Sequence, residues 1–202
     1  MAAPVSIAYT HVHSMRLAAG PCAGAEALAA RVLLADGTTG YGFTLNMDAG
    51  MARDMAAWDA LGRSKAVPLH ALLGGGYRKI IKIEKDEDPS IPPDWPALRK
   101  GILANKYDIL RIDPFAWGSV EQVSTIAAAA AAFDLGIALL APNAHPWEIQ
   151  YCVALVTILR GDDCKVILRT EIKEKEIEIS NHPGIGVDWS LEPAFSKIQW
   201  QS

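Results

Sequence analysis

Residues 108–132, Asp108-Ile-Leu-Arg-Ile-Asp-Pro-Phe-Ala-Trp-Gly-Ser-Val-Glu-Gln-Val-Ser-Thr-Ile-Ala-Ala-Ala-Ala-Ala-Ala132, contain one whole strand-then-helix unit. Asp108 to Ile112 is a short apolar run of strand length. Ser119-Val-Glu-Gln122 has the S-x-x-Q form of a capping box, and the run Ala127–Ala132 carries the helix. Gly136 suits the helix C-terminus. Working outward, Ile137 to Ala141 reads as a buried strand, and Pro146 suits the first turn of a helix through Ile149, Val153, Val156 and Leu159 to Gly161. Lys165 to Arg169 is one more strand. Upstream, Lys79 to Glu84 is a strand, Pro89, Pro92 and Pro93 make a turn, and Asp94 is a credible N-cap for a helix to about Asn105. Such alternation implies parallel strands with right-handed crossovers, in a doubly wound sheet or a (β/α) barrel, with about three and a half units present.

The first part of the chain reads differently. Residues 4–13 alternate loosely, and residues 27–35 lead through Asp36-Gly37 into Thr38 to Leu45. Asp-Gly between two β-prone runs is a strong hairpin signal, because the tight turn needs positive φ. From Asp48, Met51, Met55, Trp58 and Leu61 recur at helical spacing, with Gly62 able to close the helix. Leu72-Leu-Gly-Gly-Gly76 permits a sharp change of direction and marks the boundary between a small α+β domain, residues 1–76, and the strand–helix domain, residues 77–202. The fold class is α/β.

Composition narrows the functional classes. Of the 202 residues 50% are hydrophobic, enough to bury a core. Nineteen Lys and Arg face 23 Asp and Glu with no basic stripe between aromatics, which argues against nucleic acid as a partner. No apolar run approaches the ~20 residues of a membrane span, and the start lacks the pattern of a secretory signal, so the cytoplasm is the expected compartment. Cys22, Cys152 and Cys164 show no C-x-x-C spacing and read as reduced structural thiols.

Several stretches, in this order, resemble the enolase superfamily of the mandelate racemase and muconate-lactonising kind. Arg31-Val-Leu-Leu-Ala-Asp-Gly-Thr-Thr-Gly-Tyr-Gly42 looks like the hairpin of its capping domain. Ala56-Ala-Trp-Asp-Ala-Leu-Gly62 with Pro68-Leu-His-Ala-Leu-Leu-Gly-Gly75 is similar to the helix and turn leading from cap to barrel. Arg111-Ile-Asp-Pro-Phe-Ala-Trp-Gly118 and Ala141-Pro-Asn-Ala-His-Pro-Trp-Glu-Ile-Gln150 resemble the sixth and seventh barrel strands, and His182-Pro-Gly-Ile-Gly-Val-Asp188 the C-terminal P-G-x-G turn. The resemblance implies a shortened α+β capping domain followed by a partial TIM-type (β/α) barrel. Family members are about twice this length, and the larger deletion falls after Gly76.

The resemblance further implies abstraction of a proton α to a carboxylate, with Mg²⁺ on three carboxylates stabilising the enediolate, as in a dehydratase or racemase of sugar acids. Only Glu87 can be proposed as a metal ligand, from its place before the Pro-rich turn; two of the three expected ligands find no counterpart. The plainer reading of Lys85-Asp-Glu-Asp88 is a solvated charge run. The family's K-x-K base pair is not matched by Lys79, Lys82 and Lys85, and Lys173-Glu-Lys175 stands at the wrong end of the chain. Asp113 and His145 each follow a strand, and in the family such a pair is a carboxylate orienting a histidine base. Many relatives place that histidine directly after the strand-ending proline, where this chain has Asn143, an amide unable to take the proton. The plainer reading of both residues is strand-end polar groups satisfied by local bonds. Asn143 and Glu171 are the candidate substrate contacts, Glu171 standing in an acidic run that a solvated face also explains. Trp58, Trp95, Trp117 and Trp147 read as packing anchors. His11 and His13 share a strand face but are too few for a metal site.

Two functions stay open: a reduced Mg²⁺-dependent dehydratase or racemase of sugar acids, and a non-catalytic remnant serving as an oligomeric or ligand-binding module. A partial barrel leaves sheet edges unpaired, which predicts a homo-oligomer. Light scattering returning only the 21.7 kDa monomer at working concentrations refutes that prediction.

Overall fold

The computed structural model describes residues 6–18, 20–75, 79–86, 90–159, 164–170, 172, 173, 175–189 and 193–200. Gly76, Glu87, Gly161 and Glu171 lie outside the described residues. The chain divides into two compact units, Met1–Leu73 with Ser180–Ser202, and Gly74–Ile179. The final residues, which the sequence reading left with the strand–helix domain, thus join the first unit. Backbone bonds explain this: Leu69 N–H donates to the Gly184 carbonyl at 2.7 Å, and Gly184 N–H to the Val67 carbonyl at 3.1 Å.

In the first unit β1 (Ile7–Arg16), β2 (Glu26–Leu34) and β3 (Thr39–Thr44) form an antiparallel meander. The hairpin turns where Asp36-Gly37 predicts it, with Gly37 at φ 86° and the Asp36 carboxylate taking the Thr38 N–H at 2.8 Å. Helix α1 (Ala49–Ser64) is capped by Asp48, whose carboxylate accepts from the amides of Gly50 and Met51. Its small-residue stripe Ala52, Ala56, Ala60 packs on Ala30, Val32 and Leu34 of β2. The strand backbone comes so close that a Cβ at Gly40 or Gly42 would overlap backbone atoms of these alanines. The G-Y-G of β3 therefore exists to let the helix down onto the sheet. Gly62 does not end the helix as expected. It lies inside α1, where a Cβ would meet the Gly184 Cα at 2.6 Å, so its smallness serves packing rather than termination. A short helix, α2 (Leu69–Leu72), follows.

The second unit comprises β4 (Ile80–Lys85), α3 (Trp95–Leu103), β5 (Ile109–Ile112), α4 (Pro114–Trp117), α5 (Val120–Ala132), β6 (Gly136–Leu140), α6 (Pro146–Val156), β7 (Lys165–Leu168) and β8 (Glu176–Glu178). Asp94 and Ser119 cap α3 and α5 as expected, accepting from Ala97 N–H and Gln122 N–H. Gly136 is not at the end of α5. The left-handed residue there is Asp134 at φ 55°, and Gly136 opens β6. Asp tolerates this conformation because its short polar side chain bonds locally. Trp147 is fully buried, whereas Trp95 is 39% exposed and meets Trp117 edge-on at 5.4 Å. Cys22, Cys152 and Cys164 form no disulfide.

The five strands lie in the order β5-β6-β7-β4-β8, parallel except for the antiparallel β4/β8 pair. This order shows where the barrel is cut. In a closed eight-stranded barrel the last strand neighbours the first. With β5 to β7 as the last three strands, β4 beside β7 occupies the place of the first. The interruption that the resemblance implies therefore follows β4 rather than Gly76. The sheet is curled as a barrel wall is. Two strands separate β5 from β4, about 14 Å on a flat sheet, yet Arg111 of β5 reaches Asp86 beyond β4 at 2.5 Å.

Candidate functional site

Parallel strands bring their C-terminal ends to one side, and five polar side chains, Asp113, Asn143, His145, Glu148 and Arg169, lie just beyond β5, β6 and β7. Asp113 follows β5 and caps α4, accepting from Phe115 N–H at 2.9 Å and Ala116 N–H at 3.2 Å. Burial raises its carboxyl above the usual range, against these amides and the opposing charge of Arg169. Arg169 is exposed and directly follows β7.

Beyond β6, the chain enters α6 through Pro142, Asn143, Ala144 and His145, with Ala144 in the left-handed region at φ 51°. Asn143 is exposed and doubly held by Glu148: its backbone N–H donates at 3.0 Å and its Nδ2 at 2.9 Å. Glu148 is 0% exposed. Burial pushes its carboxyl from an ordinary 4.5 up to about 7, against the Asn143 bonds, with the Asp113 charge adding to the rise and the His145 amide opposing it. Fully buried Cys152 beside them has its thiol pushed up by burial first, then by Glu148 and Asp113. The two carboxyls thus share one electrostatic neighbourhood.

His145 is 4% exposed and caps α6, its Nδ1 accepting the Trp147 N–H at 3.2 Å. With that lone pair engaged, a neutral ring carries its proton on Nε2 and offers no nitrogen to accept another. Asp113 and His145 stand on neighbouring strand ends, as the parallel order requires, and each is engaged in capping a helix. Glu148 is the site residue that sequence reasoning missed. Its signal was present: it lies three residues after the N-cap and reaches back to the N-cap amide, which is capping-box geometry with histidine in place of serine or threonine.

The concave face of the sheet leads up to these strand ends. Glu84 pairs with Lys165 at 2.5 Å, and with the Arg111–Asp86 pair it frames a cavity of about 240 Å³ floored by Ile109, Ala138 and Ile167. Ile91, from the Pro-rich segment, packs onto Ala138, Leu140 and Ile167. Among the described residues no three His, Cys, Asp or Glu side chains are grouped to hold a metal ion. Asp113 Oδ1 and both oxygens of Glu148 face backbone and amide donors, so this described set does not fit a three-carboxylate Mg²⁺ centre. Among the described residues no helix is long and apolar enough to cross a membrane.

Comparison with solved structures aligns nearly the whole chain. An enolase from Bradyrhizobium complexed with magnesium and mandelic acid matches with TM-score 0.68 at 14% identity, covering 100% of both chains. A mandelate racemase/muconate lactonizing enzyme from Bordetella bronchiseptica RB50 matches with TM-score 0.69 at 13% identity, over 91% of this chain and 97% of that one. The chain shares the fold of these enzymes. L-Talarate dehydratase from Polaromonas sp. JS666, complexed with Mg and L-glucarate, shares this fold with TM-score 0.65 at 14% identity, over 90% of this chain and 94% of that one. No family model matches the sequence, and no curated protein matches it. The fold is thus the one that the ordered motifs of the sequence resemble; at these identities the activity must be argued from the residues.

Proposed function

We propose that this chain of the mandelate racemase/muconate-lactonizing fold binds a small hydroxy or sugar acid at the ends of β5 to β7 without abstracting its α-proton through His145. The observation carrying this reading is the division of labour after β6. His145 is buried and engaged as a cap, while the exposed side chain is an amide, Asn143, held by Glu148. Exposed Arg169 supplies positive charge for the ligand's carboxylate, and Asn143 a polar contact for its hydroxyls. The mandelic acid and L-glucarate in the neighbouring structures support this ligand class. The outer edge of β5, which has no strand partner among the described residues, supports self-association.

One observation favours a second reading. Glu148, with its carboxyl pushed up to about 7, can exchange a proton near neutrality, and the neighbours contain magnesium. On this reading the protein is a Mg²⁺-dependent acid-sugar dehydratase or racemase, with Asp113 and His145 as the base dyad, Glu87 as metal ligand, and Asn143 and Glu171 as substrate contacts. Bound Mg²⁺ would stabilise the enediolate. Calorimetric titration with glucarate, tartrate and mandelate, with and without Mg²⁺, separates the two when run beside α-proton exchange in D₂O. The expected result is saturable binding that weakens at least tenfold in Arg169→Ala, with no deuterium incorporation. Incorporation that disappears in Glu87→Gln and His145→Gln would establish the enzyme instead. Failure of every acid to bind refutes both.

A further inference from the structure

On the face of the first sheet turned away from α1, His11 of β1, Arg31 of β2 and Tyr41 of β3 stand directly opposite one another in register. Directly paired side chains on one face lie about 5 Å apart at Cβ. His13, two residues on, shares this face and is exposed, its ring 6.3 Å from that of His11. His11 is fixed on two sides, by the Tyr9 hydroxyl at 3.1 Å from Nδ1 and by the edge of Trp200 at 5.9 Å. In the tautomer in which the Tyr9 hydroxyl donates to Nδ1, the ring proton sits on Nε2 and is a donor.

Among the described residues no acceptor matches Arg31. Its Nε is buried without a hydrogen-bond partner, and among the described residues no carboxylate pairs with Arg31, His11 or His13. A buried guanidinium donor left unpaired costs far more than one bonded to an anion. Nε together with one terminal nitrogen forms the flat two-pronged edge that matches two oxygens of a carboxylate or phosphate. We propose that Arg31, His11 and His13 form a binding site for a small oxyanion, which takes the Arg31 Nε edge and the His11 ring donor and enters past His13. This site lies within the first unit and is separate from the strand ends of the second. It accounts for the two histidines that are too few to hold a metal, because an anion needs donors rather than ligands.

The test is ring-proton NMR of the five histidines in the full chain, titrated with inorganic phosphate, with acetate, and with sodium chloride at matched ionic strength. Saturable shifts of His11 and His13 with phosphate or acetate and not with chloride are expected, His70 and His182 staying still. Phosphate saturating at lower concentration identifies a phosphate-type ligand, and acetate a carboxylate. Arg31→Met should weaken the response at least tenfold while tryptophan fluorescence reports an intact fold. Should that variant not fold, Arg31→Lys keeps the charge without the flat edge and should still weaken binding severalfold. Shifts that match those with chloride, or that persist unchanged in either variant, overturn the proposal. Shifts of His145 report the strand-end site instead, so failure of one site is distinguishable from failure of the other.

Discussion

Lowering the pH from about 8 to about 5 should strengthen α6 and the strands it covers, and Glu148 is the reason. Its carboxyl titrates near 7 in the folded chain against an ordinary 4.5, because burial disfavours the charged form. A folded pKa raised above the unfolded one means that, between those values, the folded chain holds a proton the unfolded chain has released. The stabilisation is fully present below the unfolded value and is lost as pH rises through the folded one. The gap corresponds to roughly 3 kcal/mol, and the raised carboxyl of Asp113 acts in the same direction. Hydrogen exchange of the α6 amides is the measurement, since it reads this region apart from the first unit. Protection should rise on acidification in the wild type and be nearly flat in Glu148→Gln, which cannot ionise. An equal slope in both proteins would assign the effect to other groups.

Replacing Asp59 by alanine should cost the first unit roughly 2–4 kcal/mol, chiefly because the Tyr41 and Ile185 amides lose their acceptor, while the partly exposed Arg63 can turn to water. Asp59 is 0% exposed and gathers three donors. The Tyr41 amide reaches Oδ2 at 2.9 Å, the Arg63 Nε the same oxygen at 2.8 Å, and the Ile185 amide Oδ1 at 3.0 Å. Burial raises its carboxyl, but the Arg63 charge and these bonds oppose the rise. One side chain thus ties β3, α1 and the C-terminal turn. Urea unfolding followed by exchange at the β2 amides checks the loss, and Asp59→Asn should restore part of it by keeping one acceptor. A loss below about 1 kcal/mol in Asp59→Ala would show that the amides find other partners.

What the sequence disclosed and what it withheld follow from range. Asp94 and Ser119 were legible as caps, and Asp36-Gly37 as the hairpin, because each acts on amides within three residues. The parallel strands were legible because their apolar runs are short and regularly spaced. Gly62 was misread because its neighbour, Gly184, is far away in sequence. The place of the barrel's interruption was misread for the same reason, since only the pairing of Ile83 with Val166 reveals which strand β4 is. At the site, Asp113 and His145 were found by their positions after strands, but a residue type does not disclose that its lone pairs are already engaged by a helix amide. Glu148 escaped because its burial is a tertiary property.

The strand order also bears on how quickly this molecule can assemble. β5, β6 and β7 each meet a near neighbour in sequence, so their pairing closes only modest loops. The β4/β7 ladder joins residues more than eighty positions apart, as Ile83 and Val166 show, and it gains nothing until that whole loop is closed. β8, whose partner is β4, cannot pair before β4 does, and β4 therefore finds its place after β5 to β7. Until it arrives, the edge of β7 is open to any strand that reaches it first, which makes freshly made chains most prone to aggregation at this step.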